Sequence, residues 1–344
     1  MSSNHLPELR AAIELGSGAV RIQMSLVDAT LEQIVGTSIL ATCKAINLTE
    51  DVAKHHGIIT EAMEQELLKV LSKFKEDALT LAKGQGHQTV NFIGIATAIY
   101  RTAKNANELL KRVGEKLKVR FQILSQDEEG ELGFCTVRAL YPTMPESSLV
   151  AWDSGNSSFQ MTIKRDSRYH IYQGPLGNGS VRVILANEIR NGSILNPLDS
   201  GCPISRDESD LLQRKIIDRL PPIPEWLLQA LSSKEAIVAT FGEGESVFTI
   251  VGQAIQSLRG IKEPIAELII VIADVRKVMD QFINLEEKTL QSRNLHHKTL
   301  TSAILLATIM QHFNLHQIQY KRCLGNTLGM LIDSHLWKKS PMPS

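Results

Sequence analysis

The spacing of apolar positions changes several times along the chain, and each change predicts an element. Residues 9–15 (LRAAIEL) are an almost unbroken apolar run, read as a buried strand. Ile22, Met24 and Leu26 alternate within a second strand over 20–27, and Gly16-Ser17-Gly18 lies between the two, so they form a hairpin. A third strand is expected around 34–41. Over 60–83, Met63, Leu67, Leu71, Phe74, Ala78 and Leu81 recur at helical spacing and bury one face, and Gly84-Gln85-Gly86 ends that helix. A strand over 90–96, a Lys- and Leu-rich helix over 103–116 and a strand over 121–124 follow.

From Ser148 the scheme starts again. Leu149–Trp152 is a strand, a polar Gly turn follows, and 159–163 alternates as the next strand. Glu14-x-Gly16-x-x-x-Val20-x-Ile22 matches Asp153-x-Gly155-x-x-x-Phe159-x-Met161: an acid ending one strand, a turn, then an alternating strand. The repeat predicts an α/β chain made of a duplicated domain with a cleft between the halves. The first domain is placed at 1–125, with the C-terminal segment of about 331–344 packing back onto it, and the second at 126–330. Gly177-Asn178-Gly179-Ser180 leads into a helix over 181–189. From about 205 onward the chain reads as mostly helical, interrupted by Pro221-Pro222-Ile223-Pro224 and by a turn at Gly242–Gly244.

Composition narrows the setting. A chain of 344 residues exceeds the size of one growing core, which agrees with two domains. Lys+Arg and Asp+Glu are both 37, so there is no general basic field and nucleic acid is not an expected partner. Cys43, Cys135, Cys202 and Cys323 are far apart, with no CxxC pair, as suits idle thiols in a reducing compartment. No apolar run approaches the roughly 20 residues that span a bilayer, and MSSNHLPELR lacks a signal pattern, so a soluble cytoplasmic protein without a membrane partner is expected.

Candidate chemistry lies in the turns. An acid at a strand end followed by Gly or Ser lets backbone N–H groups approach a phosphate while the carboxylate holds a metal or its water. An ordinary hairpin turn accounts for either turn taken alone. Gly177–Ser180, opening a helix, and Gly242-Glu243-Gly244-Glu245-Ser246 offer further backbone anion sites, or plain loops. Ser125 and Glu128 have the spacing of a capping box, which accounts for Glu128. Glu129 falls on the inward stripe of the same helix with Leu132, Ala139 and Leu140, where desolvation would raise its pKa and suit it to take a proton from water. A helix-start acid favoured by the macrodipole remains the alternative. Arg101 could fork onto phosphate or stay exposed. His312/His316 and His296-His297 lack a carboxylate or Cys at zinc-ligand spacing.

Together these segments resemble the exopolyphosphatase and guanosine pentaphosphate phosphohydrolase (Ppx/GppA) family, in its short two-domain form, within the actin-like ATPase superfamily. AAIELGSGAVRIQM is similar to the family's first phosphate turn, and IATAIYRTAKNANELLKRV to its Ala-Thr strand, arginine and helix. LSQDEEGELGF resembles the paired-glutamate segment, VAWDSGNSSFQMTI the second turn, GPLGNGSVRV a later glycine segment and ATFGEGES the last Gly turn. The resemblance implies duplicated actin-like (ribonuclease H-like) domains and magnesium-dependent release of terminal phosphate from inorganic polyphosphate or guanosine pentaphosphate, with a homodimer also open. It implies Glu129 as the catalytic base and Arg101 beside it. Phosphate would be held by Gly16, Ser17, Gly18, Gly155, Asn156, Ser157, Ser158, Gly177 and Gly179, and metal by Glu14 and Asp153.

The chain departs from the family pattern at four places. Glu14 stands where the family usually has Asp, one methylene longer. DSGNSS replaces a glycine run, so Asn156 and Ser157 bring side chains to the second turn. Glu131 stands where an arginine commonly follows the paired glutamates, and the late basic segment is represented only by YKRCLGNTLG. A hydrolase is therefore the first expectation, a non-catalytic sensor of phosphorylated nucleotides the second, and an ATP-dependent kinase on the same fold the third.

Overall fold

In the computed structural model, which describes residues 6–46, 48–192 and 201–338, the first apolar run is strand β1 (Glu8–Leu15), paired antiparallel with β2 (Ala19–Asp28) from Glu8↔Val27 to Leu15↔Val20. Strand β3 (Gln33–Ala45) pairs antiparallel with β2, and helices α1 (Leu48–Lys54) and α2 (Glu61–Gly84) follow. Thr60 caps α2 by accepting the N–H of Met63. Strand β4 (Asn91–Ala96) lies parallel to β1, then come α3 (Ile99–Thr102), α4 (Ala106–Leu117), β5 (Arg120–Ile123) parallel to β4, and α5 (Gln126–Leu140). The sheet order is β3-β2-β1-β4-β5. Both faces of β1 are buried, Ile13 and Leu15 in the cluster with α2 and α4, and Ala12 in the cluster with Leu132 of α5. A strand covered on both sides has no polar face, which is why its sequence is continuous rather than alternating.

The second unit is assembled from β6 (Leu149–Ser154), β7 (Phe159–Arg165), β8 (Arg168–Gly174), α6 (Asn178–Ile184), α7 (Arg206–Ile217), α8 (Glu225–Leu231), β9 (Ile237–Gly242), α9 (Val247–Leu258), β10 (Glu267–Val271), α10 (Ile272–Phe282), α11 (Glu287–Ser292), α12 (Thr299–His312) and β11 (Gln317–Arg322). Its sheet runs β8-β7-β6-β9-β11-β10. β8 with β7 and β7 with β6 are antiparallel, and β6 with β9 and β9 with β11 are parallel. That is the pairing pattern of the first sheet, extended by one antiparallel edge strand, β10. Trp152, Phe159, Phe248 and Phe313 fill its core, with Trp152 and Phe248 edge to face at 5.2 Å.

Two sequence expectations need correction. The region after 205 is not simply helical: β9, β10 and β11 lie within it. They are strands of five or six residues between helices, too short for their period to stand out. The chain also divides at other points than 125/126 and 330/331. Contacts gather residues 1–142 and 323–344 into one unit and 143–322 into the other. The cause is helix α13 (Thr327–Ile332), which packs on α5 and on β1 and β2, so both α5 and the returning chain belong with the first sheet. Helix α14 (Ser334–Lys338) continues the return, with the Arg10 guanidinium 4.8 Å over the Trp337 ring; residues 339–344 lie outside the described residues.

At the α5–α13 contact, Gly329 donates its N–H to Thr136 Oγ1 at 3.2 Å. A Cβ on Gly329 would come within 2.6 Å of Leu132 O and 2.8 Å of Thr136 N, both backbone atoms that cannot turn aside. Gly329→Ala should therefore cost about 1–3 kcal/mol of stability through overpacking. A denaturant melt checks it, and an unchanged midpoint would show that the return is not held at this contact.

Candidate functional site

The first unit brings Arg101 and Glu129 together at one end of its parallel strands. Where β4 ends beside β1, Thr97 donates its N–H to Leu15 O at 3.1 Å. Ala98 then adopts φ 34° and ψ −94°, outside the regions open to an L-residue without strain. Such a residue costs on the order of 1–3 kcal/mol and persists only where its surroundings fix it. The chain turns at once into α3, which carries Arg101. Arg101 Nη1 donates to Leu124 O, just after β5, at 3.0 Å, and to Glu129 Oε2 at 2.8 Å.

Glu129 is placed by the start of α5. Ser125 accepts the N–H of Glu128 at 3.2 Å and Glu128 Oε2 accepts the N–H of Ser125 at 2.8 Å, the reciprocal capping box its spacing predicts. Glu128 is thus committed to the helix end, and Glu129 is turned inward. Burial pushes the Glu129 carboxyl above its ordinary value of 4.5; the Arg101 charge and hydrogen bond pull it back, and the Glu14 charge adds to the rise. The arrangement supplies a partly buried carboxylate with raised proton affinity, held in one orientation by one nitrogen of an arginine. Beyond it, Arg101, Tyr100, Asn107 and Ser125 border a shallow cavity of about 340 Å³, and the Tyr100 hydroxyl is buried without a hydrogen-bond partner.

The first turn is closed by Gly16 N–H on Ala19 O at 2.9 Å, and Gly18 O accepts the N–H of Ile46. Glu14, ahead of the turn, is buried. Its Oε2 accepts the N–H of Asn326 at 3.0 Å, and its Oε1 lies 3.6 Å from Nη1 of Arg21, its cross-strand neighbour. Magnesium takes about six oxygens at 2.0–2.1 Å. Glu14, bonded to a backbone N–H and beside a guanidinium, does not fit that role as it stands, and no group of three or more His, Cys, Asp or Glu among the described residues is arranged to hold a metal ion.

The second unit repeats the turn and then closes it. Gly155 N–H bonds to Ser158 O at 2.9 Å, as Gly16 does to Ala19. The N–H groups of Asn178, Gly179 and Ser180 at the start of α6 are directed at Gly155 O and Asn156 O, and Gly177 N–H is directed at Ser180 Oγ. The Asn156 amide lies against Gly179, and Ser157 O accepts from Ser180 Oγ. The expected anion site at Gly177 and Gly179 is thus filled by the chain itself: the helix N-terminus is satisfied by the turn that precedes it. Asn156 and Ser157 keep their own N–H groups without partners among the described residues. Asp153 sits partly exposed at the end of β6.

Sequence reasoning missed Arg21, Ala98 and the loop at Gly325–Asn326. A signal for Arg21 existed, since Glu14 and Arg21 flank the hairpin symmetrically and must share a face. Nothing local marks Ala98, because alanine gives no hint of a strained turn.

A model of the family described as the Ppx/GppA phosphatase family matches residues 29–323. A bifunctional 3-dehydroquinate synthase/phosphatase of Fusobacterium nucleatum is 26% identical over 156 residues, which are 45% of this chain and 23% of that protein, so the chain spans less than a quarter of that relative. Among solved structures, the Aquifex aeolicus Ppx/GppA family member superposes with a TM-score of 0.68 at 18% identity, covering 97% of this chain and all of that one. An exopolyphosphatase from Cytophaga hutchinsonii gives 0.66 at 15% identity, covering 94% and 98%. At these identities the structures show a shared fold.

The Arg101–Glu129 pair makes its own prediction. In a carbon-13 NMR titration Glu129 should protonate above the ordinary 4.5. Arg101→Met should move that pKa further up, because the arginine favours the charged form. A pKa that stays put or falls in the variant would mean that the two side chains do not meet.

Proposed function

The chain belongs to the Ppx/GppA phosphatase family, and from there we propose that it is a phosphoanhydride hydrolase releasing terminal phosphate from inorganic polyphosphate or guanosine pentaphosphate, with Glu129 as general base. The observation that carries this reading is the partly buried Glu129 carboxylate, oriented by Arg101 at 2.8 Å and with its proton affinity raised by desolvation. A water beside Glu129 gives its proton to the carboxylate as its oxygen bonds to the terminal phosphorus, the anhydride P–O bond breaks, and the leaving phosphate carries the electron pair away. Arg101 has a role in both partners of that step. Nη1 holds the base, while its remaining N–H groups, which make no hydrogen bond among the described residues, would meet an equatorial phosphate oxygen.

In the first turn the Gly18 backbone adds an N–H dipole for the phosphate, the Gly16 N–H being held by Ala19 O. Phosphate chains travel with magnesium, so the assay includes it. The Glu14 oxygens already have partners, the Asn326 N–H and the Arg21 guanidinium, and take no part in the step.

A second reading, a sensor that binds a phosphorylated nucleotide without hydrolysing it, draws on one feature: the second turn carries the Asn156 side chain and is hydrogen-bonded onto α6. In that reading the unmodified chain binds guanosine pentaphosphate but releases no phosphate, and Asn156→Gly with Glu131→Arg tightens binding of a phosphate chain.

Phosphate release from long-chain polyphosphate and from guanosine pentaphosphate, with and without magnesium, decides between them. Glu129→Gln should lower the rate by about 10²–10⁴-fold while leaving ligand affinity nearly unchanged, since glutamine keeps the size but cannot take a proton. Glu128→Gln should keep most of the activity, because glutamine also completes a capping box. Full activity in Glu129→Gln would remove this mechanism.

A further inference from the structure

The first-turn acid has a different task from the one its position suggests. Glu14 is the last residue but one of β1, and its carboxylate meets the chain where it returns to the first unit. Oε2 accepts the N–H of Asn326, 312 residues away in sequence, at 3.0 Å. Gly325, the residue before, has φ +59°, and a Cβ built on it would fall 2.1 Å from Oε2 and 3.0 Å from Cδ of Arg21. The carboxylate therefore occupies the space a side chain at 325 would need, and the loop is bare backbone because Glu14 is there. The following residues are tied to the same unit: Thr327 Oγ1 donates to Gln23 Oε1 at 2.7 Å, and Gly329 N–H donates to Thr136 Oγ1.

We propose that Glu14 is a latch that fastens the returning segment Cys323–Asn326 and the Arg21 side chain to the first turn, and that it is not a metal ligand. Its length is part of the device. Aspartate, shorter by one carbon–carbon bond of about 1.5 Å, would leave the N–H of Asn326 beyond hydrogen-bond reach. For the carboxylate to turn to a divalent cation it would have to give up its hydrogen bond from Asn326 and place the cation beside the Arg21 guanidinium, both unfavourable. A latch of this kind is a matter of packing and holds whether or not the chain hydrolyses phosphoanhydrides.

The test uses the whole chain, thermal melts and titration with manganese ion alone. Glu14→Asp should lower the melting temperature by roughly 3–10 °C, the loss of one charge-assisted hydrogen bond. Glu14→Gln keeps an acceptor oxygen at full length and should lie closer to the unmodified chain than the aspartate variant does. Manganese affinity, whether measurable or absent, should agree within about twofold across all three. Gly325→Ala should be strongly destabilising in the unmodified chain and less so in Glu14→Ala, since the clash is with the carboxylate; this coupling decides the matter should Glu14→Asp fail to fold. A tenfold or larger loss of manganese affinity in Glu14→Gln, an aspartate variant as stable as the unmodified chain, or additive effects of Gly325→Ala and Glu14→Ala would each overturn the proposal.

Discussion

One nitrogen, Nη1 of Arg101, joins the parts on which the candidate site depends. It binds the carbonyl that follows β5 and the carboxylate at the start of α5, and it is delivered there by the strained turn after β4. Burial alone would drive Glu129 to its neutral form, and a fully neutralising partner would make it a poor base. A single charge-assisted bond at 2.8 Å lies between these limits: the carboxyl keeps a raised proton affinity and a fixed direction. The strain at Ala98 is consistent with this. A backbone conformation unfavourable on its own account is tolerated because the bond of Thr97 to β1 and the backbone bonds that open α3 fix it on both sides.

The two units share a topology and differ in what their turns leave open. Both turns are closed by the same glycine N–H to carbonyl bond of 2.9 Å, between Gly16 and Ala19 and between Gly155 and Ser158. In the first unit the acid before the turn is taken up by a distant loop, and in the second the carbonyls of the turn are taken up by a helix that follows closely. A repeated backbone motif therefore does not carry a repeated chemistry; what its neighbours do with the hydrogen bonds decides that.

Much of this was legible in the sequence. The strand–turn–strand restart at Leu149 predicts the second sheet because side-chain alternation is a local property, and the Ser125–Glu128 box fixes which of two adjacent glutamates faces inward. The placement of β9 and β11 was not legible. They are interior strands whose parallel partners are far away in the chain; β9 is a short apolar stretch like those of the helices around it, and β11 shows only two alternating apolar residues, Ile318 and Tyr320. The filled helix start at Gly177–Gly179 was also hidden, since a glycine pair looks the same whether its N–H groups meet an anion or a carbonyl. The partner of Glu14 lies 312 residues away, and no window of local sequence contains both.

That separation has a consequence for how the molecule is made. The first unit is interrupted: residues 143–322 form a unit of their own before the chain supplies Cys323 onward. On the ribosome, where synthesis proceeds at about 5–20 residues per second and domains fold as units, the inserted unit emerges whole while the earlier one still lacks its last helices. Until then the apolar face of Ala12, Ile93, Ile95 and Leu132 waits without Met330 and Leu331. Joining the two parts of the first unit is therefore a long-range closure, which loop-closure entropy slows.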